Sequence, residues 1–516
     1  MLRYASQNGF SCRYSTEFIK FEEEKSGTVL TTVRDMVLDQ TFTIRSKYLF
    51  GADGARSSVV KQLGLPLAAT PAKGLAVNIV VDVDMSHIVE NRRANLHWLM
   101  QPDVEHPRFD WLCICRLIRA HDQWMFIFLP PLGTKLDPEP TQDEYLQRIK
   151  EYIGDPNISA RIRSVSKWNI NEIYAEAYNN EAQKIFCLGD AVHRHPPNNG
   201  LGSNTCIQDA FNLAWKVAYV MKGLASPSLL STYSPERQPI GKRVVQRANQ
   251  ALPEQIAVWS SVGMLEPTRE ARKVAFEELS ATTPQGVKRR EMLASGIKSC
   301  QHEFSGLGIE MNQRYESTAV FIRDQEPPPQ FPEDPVLYYN ISTYPGSRLP
   351  HAWLNKAIPR KPISTIDLAG HGHFTLFTGA GGGAWKHAAA IATERLLRSI
   401  SIAAKEPSEF ESVEIQKAAE GQLNCVAGLA TSTLPLEVHG ESRVPSLEIK
   451  VWSIGWRLDW EDVYLDWQKK REIEEDGCIL ARPDRTVAWR CMKLSDMNGK
   501  ESEKLEEVMK SILGLE

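Results

Sequence analysis

Between Ala76 and about Pro131 the chain alternates apolar and polar positions in part, through "AVNIVVDVD", "ANLHWLM", "FDWLCICRLI" and "QWMFIFLPP". That period, with so much Val, Ile, Trp and Phe, predicts strands of a sheet packed on one face. Upstream, a helix tail at Met1–Gln7 ends at Asn8-Gly9, and three strand-like segments follow: Ser11–Phe21, Thr28–Val33 and Thr41–Phe50. The last runs into a glycine turn and a short helix that stops at Gly64. Downstream the pattern predicts a helix over Thr141–Ile153, a strand over Ser164–Ile173 and another over Lys184–Leu188. A turn and an amphipathic helix from about Asn204 to Lys222 come next, then a mostly helical stretch from Arg237 to Gln301. Proline density in "DQEPPPQFPEDP", Asp324–Pro335, marks a linker. Beyond it, "STIDLAGHGHFTLFTGAGGGAWKHAAAIATERLL" reads strand, loop, strand, turn, helix.

Composition narrows the classes. At 516 residues the chain is too long for one core, so several domains are expected. A hydrophobic share of 42% with 24% charged residues is that of a folded protein. The net charge of -4 and the lack of a basic stripe exclude a nucleic-acid footprint. No apolar run approaches a membrane span, the nearest, Leu213–Val220, being broken by Lys216. The N-terminus has no signal-peptide core, and the nine cysteines contain no CxxC. Reduced thiols in a cytoplasmic protein are expected.

The densest chemistry lies in "CLGDAVHRHPPNNGLGSNTCIQDAFNLAWK", Cys187–Lys216. His193 and His195 with Asp190 could face a metal, but they sit in a proline-stiffened turn with no further ligand at zinc spacing, so no metal is expected. Gly200-Leu201-Gly202 before a helix suits a phosphate, since glycines admit close approach and the helix start offers unpaired N–H groups. The Lys-Ser/Thr pair of a P-loop is absent, Ser203-Asn204-Thr205 standing there instead. The same geometry suits a flat ring that becomes anionic on reduction.

Lys184–Gly223 resembles the second flavin-binding motif of the class A flavoprotein aromatic hydroxylases, and "YLFGADGARSSVVKQLGL" resembles their Asp-Gly motif. "PGSRLPHAWL", "STIDLAG" and "GCILARPDRTVAWR" are similar to the C-terminal thioredoxin-like domain of the phenol 2-monooxygenase branch. The resemblance implies an α/β (α+β overall) protein: a Rossmann-like FAD-binding domain, N-terminally incomplete, over 1–72 and 185–250. A substrate-binding sheet would take 73–184, a helical segment and linker 251–340, and the thioredoxin-like domain 341–516. By the same resemblance Asp190 would bind a ribityl hydroxyl of FAD. Pro197, Gly200, Gly202, Ser203 and Asn204 would lie along the isoalloxazine. Asp53, Gly54 and Arg56 would contact FAD and NAD(P)H. Leu201 and Ser203 stand where the family commonly shows Gln and Met, a light departure if backbone amides do the binding.

The family opens with a G-x-G-x-x-G unit for the ADP half of FAD, and this sequence has none before its Asp-Gly motif. Weak FAD binding is the expectation. The run Gly379–Ala384 imitates that fingerprint but follows the flavin motifs, where it would only shape a turn. The implied activity is hydroxylation of a phenolic or other aromatic ring, polyketide-derived rings included, by FAD with NAD(P)H and O₂, in a homodimer. The alternative is a flavin-poor, inactive homologue serving as an interaction or dimerisation module. No catalytic residue is assigned, and Arg116, Arg119 and Trp124 are candidates for the pocket wall.

Overall fold

The structure, a computed structural model, describes residues 2–70, 74–106, 108–120, 122–130, 139–403, 415–417 and 447–516. A short exposed helix, α1 (Leu2–Gln7), precedes an antiparallel meander of β1 (Thr16–Glu23), β2 (Val29–Asp35) and β3 (Gln40–Ser46). The next strand, β4 (Leu49–Gly51), ends at the Asp-Gly turn, and α2 (Ser58–Leu63) follows. Ser57 caps α2 through its side chain and Gly64 closes it in the left-handed region, the pairing of an N-cap acceptor with a C-terminal glycine.

The alternating segment forms a five-stranded antiparallel sheet from β5 (Leu75–Val83), β6 (Leu96–Met100), β7 (Leu112–Arg119), β8 (Gln123–Phe128) and β9 (Ala160–Asn169). Its spatial order is β9-β5-β8-β7-β6. One face, with Val77, Ile79, Cys113, Phe126 and Phe128, packs on α3 (Gln142–Ile153), whose Thr141–Glu144 capping box fixes its start. The other face is covered too, contrary to the one-sided sheet expected. Trp98 meets Trp259 edge-on at 5.8 Å, and Leu112 packs beside Val258 and Met264.

Chain return closes the first unit. The strand β10 (Ile185–Cys187) pairs in parallel with β4, Ile185 opposite Leu49 and Cys187 opposite Gly51. This register brings the turns after Gly51 and Cys187 side by side. Two long helices follow, α4 (Gly202–Met221) and α5 (Tyr233–Ser261).

The C-terminal part holds β11 (Phe374–Thr378), α6 (Gly383–Ala403), β12 (Ile449–Ser453), β13 (Cys478–Ala481), β14 (Val487–Cys491) and α7 (Glu501–Leu513). β11 runs parallel to β12 and antiparallel to β13, giving the order β12-β11-β13-β14. A βαβ unit followed by ββα over one four-stranded sheet is a thioredoxin-like arrangement. The glycine run before α6 is tightly packed: a Cβ on Gly382 would lie 1.8 Å from Thr378 Oγ1, and one on Gly379 2.5 Å from the Glu475 carbonyl.

This part shares its core with α4. Trp215 and Tyr219 each set an edge on Phe374, with ring centroids 5.9 Å apart, and Tyr219 donates to the Gly372 carbonyl at 3.0 Å. The proline-dense segment is accordingly no free tether. Trp489 Nε1 donates to Asp324, Arg314 to the Pro329 carbonyl, and His302 pairs with Asp334 at 2.8 Å.

Candidate flavin site

Parallel pairing of β4 and β10 gives the site two turns on one edge. In the first, Asp53 is exposed but committed: its Oδ2 accepts from the amides of Ser58 at 2.7 Å and Val59 at 3.2 Å. It caps α2, so its position is fixed by the helix it starts. Gly54 adopts φ +77°, and Gly51 lies so close to Val59 that a Cβ would meet it at 2.9 Å. Arg56 is exposed and lines a cleft of about 450 Å³ together with Lys61 and Arg194.

The second turn is built from below. Asp209 on α4 is fully buried, and its Oδ2 accepts from the Gly189 amide at 3.0 Å and contacts His193 Nε2 at 2.7 Å. Its Oδ1 accepts from buried Arg237 Nε at 2.7 Å. Burial opposes the Asp209 charge, but Arg237 and His193 beside it win and hold its carboxyl below the ordinary value. Asp209 thus pins the turn so that Asp190, the next residue, stands exposed. One nearby thiol points at it: Cys206 Sγ donates to Asp190 Oδ1 at 3.7 Å. Burial and then the Asp190 charge push that thiol up to about 12, so it stays protonated and serves as a donor.

Pro197 and Gly200 are exposed, and Gly200 takes φ +65°. Asn199, also left-handed at φ +62°, is held by the carbonyls of His302 and Glu303 at 2.7 and 3.2 Å. Asn198 donates to Glu303 Oε1 at 2.8 Å, and Gln255 donates to its Oε2 at 2.6 Å. Burial raises the Glu303 carboxyl despite those bonds. The turn leads into α4, whose N-cap Leu201 supplies no side-chain cap. The first-turn amides of Gly202, Ser203 and Asn204 therefore have no side-chain cap, with Ser203 and Asn204 exposed and Gly202 half-buried, an electropositive edge suited to a flat anionic ring. The fit to a flavin is good on that ground: bare backbone, an uncapped helix start and an exposed carboxylate above a buried anchor.

The structure does not bring the three wall candidates together. Arg116 lies opposite Met125 and Leu117 opposite Trp124, so Arg116 and Trp124 project from opposite faces of the sheet. Trp124 is buried against the α3 side, and Arg119 is tied to Asp122 by two bonds of 2.7 and 2.9 Å at the surface. Of the histidines, His193 is spent on Asp209, and His195 contacts the Pro196 carbonyl at 2.7 Å. Asp209, Arg237, Asn198, Asn199 and Glu303 were not singled out from sequence. Thr205, Asp209, Asn212 and Lys216 are all buried, so a polar stripe at helical spacing on the inward face of α4 was the available signal.

Comparison with known proteins gives the family. Residues 1–248 match an FAD binding domain, and residues 342–423 match the aromatic-ring hydroxylase C-terminal domain. The chain is 34% identical to a 2,4-dichlorophenol 6-monooxygenase of Delftia acidovorans over 100% of its own length and 78% of the relative's. It is 33% identical to a phenol 2-monooxygenase of a Pseudomonas species, covering 96% of this chain and 70% of that one. Among solved structures, the flavin-dependent monooxygenase PieE in complex with FAD and substrate matches at a TM-score of 0.79 and 32% identity, over 97% of this chain and 75% of that one. With two glycine turns on one edge, an uncapped helix between two cores and these relatives, the chain belongs to the FAD-dependent aromatic-ring hydroxylases, in the branch of the phenol monooxygenases.

Proposed function

We propose that this monooxygenase hydroxylates a phenol, of the size of dichlorophenol or a larger polyketide-derived ring, beside an FAD laid between the Asp53 and Asp190 turns. The observation that carries the reading is the parallel β4–β10 pair, which sets both turns at the uncapped start of α4. Bound flavin supplies the redox chemistry, taking electrons from NAD(P)H and activating O₂. The chain's own residues then have separable roles. In this reading Asp190 accepts from a ribityl hydroxyl, and Pro197, Gly200, Gly202, Ser203 and Asn204 offer backbone to the ring. Arg56 lines the cleft beside Lys61 and Arg194, with Asp53 and Gly54 in the turn just before it, which suits an anionic part of FAD or NAD(P)H. The start of α4 stabilises negative charge on the ring edge. The substrate is assigned to the sheet face carrying Ile114, Arg116 and Ile127, the face turned toward α5. Its apolar side chains exclude water from the ring.

The division into 1–72 with 185–250, 73–184, 251–340 and 341–516 belongs to the same proposal. So does a cytoplasmic homodimer. It is supported by the free thiols among the described cysteines and by exposed Trp456, Tyr464 and Leu465 on the C-terminal part. No helix among the described residues is long and apolar enough to cross a membrane.

The test is flavin content and turnover. Protein reconstituted with FAD should oxidise NADPH when given 2,4-dichlorophenol or phenol, and mass spectrometry should find the substrate one oxygen heavier. Asp190→Ala should retain the fold, because the side chain is exposed, yet lose most bound FAD. Unchanged flavin content in that variant would remove Asp190 from the site, and NADPH oxidation without oxygenated product would sink the reading.

A further inference from the structure

Three of the quoted motifs meet away from the flavin turns. Gly346, Arg348 and Leu349 from "PGSRLPHAWL", Asp484, Arg485 and Thr486 from "GCILARPDRTVAWR", and Gln208, Phe211 and Asn212 of α4 line one half-enclosed cavity of about 150 Å³. Two of its groups lack partners. Asn212 is 1% exposed, and its amide nitrogen is turned to the carboxylates of Glu236 at 2.6 Å and Asp484 at 3.3 Å. That fixes the amide's orientation and leaves Oδ1 with no hydrogen-bond partner, as is Gln208 Oε1. An unmatched buried acceptor calls for a donor.

Charge at the same place is unbalanced. Lys216, Arg237, Arg482, Arg348 and Arg485 stand against three carboxylates, Asp209, Glu236 and Asp484. The carboxylates are consumed by the fully buried cations: Arg482 and Lys216 on Glu236, Arg482 on Asp484, Arg237 on Asp209. Arg348 and Arg485 are the excess, and both line the cavity. Arg485 gives Nε to the Ala369 carbonyl at 3.2 Å and lies over the Phe211 ring at 5.8 Å, while Leu349 completes an apolar wall.

We propose that this cavity, between α4 and the C-terminal unit, is a second ligand site, for a small flat carboxylic acid that carries a hydroxyl. The carboxylate pairs with Arg348 and Arg485, the ring lies against Phe211 and Leu349, and the hydroxyl donates to Asn212 Oδ1 or Gln208 Oε1. Such a site needs no flavin. It sits on the inward side of the helix whose first turn faces the ring, so its occupant bears on how firmly α4 is held.

Isothermal titration of the full chain with 4-hydroxybenzoate tests it. Binding is expected, with benzoate (no donor) weaker by about tenfold, since it loses one hydrogen bond to a buried acceptor, and phenol (no charge) weaker by about tenfold or more, since it loses both arginine pairs. Arg348→Ala should weaken 4-hydroxybenzoate by about tenfold or more, because it removes a charge-assisted pair. Arg348 is half-buried and makes no side-chain hydrogen bond or ion pair among the described residues, so this variant should melt like the wild type. Gln208→Leu is the companion, removing an acceptor without touching a charge. Asp190→Ala should bind the probe unchanged, which separates this site from the flavin site. No heat at millimolar probe, equal affinity in Arg348→Ala and wild type, or loss of binding in Asp190→Ala would each overturn the assignment.

Discussion

Replacing Asp209 with Asn removes one charge and keeps the side chain's shape, so its consequences can be worked from the contacts. Arg237, fully buried, loses its carboxylate and retains Gln313 at 3.3 Å, the Tyr315 hydroxyl at 2.9 Å and the Thr205 carbonyl at 3.4 Å, all of them neutral. Oδ2 serves both the Gly189 amide and His193 Nε2, and an amide nitrogen in that place would face the Gly189 donor. Removing one partner from a buried ion pair costs about 3–5 kcal/mol. At about 1.4 kcal/mol per tenfold, the folding constant should fall by about two to three and a half orders of magnitude. The Gly189 bond alone contributes about 1–3 kcal/mol, and it holds the turn that carries Asp190, so FAD affinity should fall by about one to two orders as well. Urea titration followed by circular dichroism reads the first loss, and flavin fluorescence during FAD titration of the folded variant reads the second. Asp143→Asn, on the exposed first turn of α3, is the control and should change neither. If Asp209→Asn unfolds at the wild-type urea concentration and binds FAD as tightly, the anchor role is wrong. A fall in stability with unchanged FAD affinity would confine Asp209 to the fold.

Acid should act through the same carboxylate: Arg237 and His193 hold the folded-state pKa of Asp209 below the ordinary carboxylate value, so its stabilisation is complete above that ordinary value and is lost as pH falls through the lower, folded one. Equilibrium unfolding from neutral pH downward should show that loss, and Asp209→Asn should flatten it. Gly200→Val should weaken FAD through backbone strain alone, by about 1–2 kcal/mol, since φ is +65° there and a Cβ meets nothing within 4 Å; flavin titration checks it, and an unchanged affinity would show that the turn tolerates another conformation. Arg482→Met should lower stability by about 3–5 kcal/mol, because Glu236 and Asp484 lose their shared cation at the interface with the C-terminal part. Calorimetry should then show earlier unfolding, and an unaltered trace would mean that Lys216 alone balances the site.

What could be read from the sequence was what is local in it. The turns at Asp53-Gly54 and Gly189-Asp190 are strand, glycine and helix within a dozen residues, and each glycine's positive φ is a need of the turn itself. Arg116 and Trp124 show where local reading stops. Their faces depend on how β7 and β8 pair across a short connection with a register shift between Leu117 and Arg119, and a one-residue change of register would exchange the faces. Asp209 depends on partners 16 and 28 residues away, His193 and Arg237, that only the packed helices bring together.

The contact of the C-terminal part with α4 went unread for a different reason, although α4 carried the signal openly. Leu213 and Val217 on this helix enter the core around β4 and β10, while Trp215 and Tyr219 enter the core of the C-terminal sheet. A helix that is apolar on two sides must be buried between two layers, so the unit beyond the prolines had to dock there. Docking leaves the polar positions of α4 nowhere to go except onto one another. Asn212 and Lys216 meet Glu236 and Arg482, and Asp209 meets Arg237. The same inward stripe that anchors the Asp190 turn at one end thus fastens the C-terminal unit at the other, and a substitution anywhere along it should be felt by both.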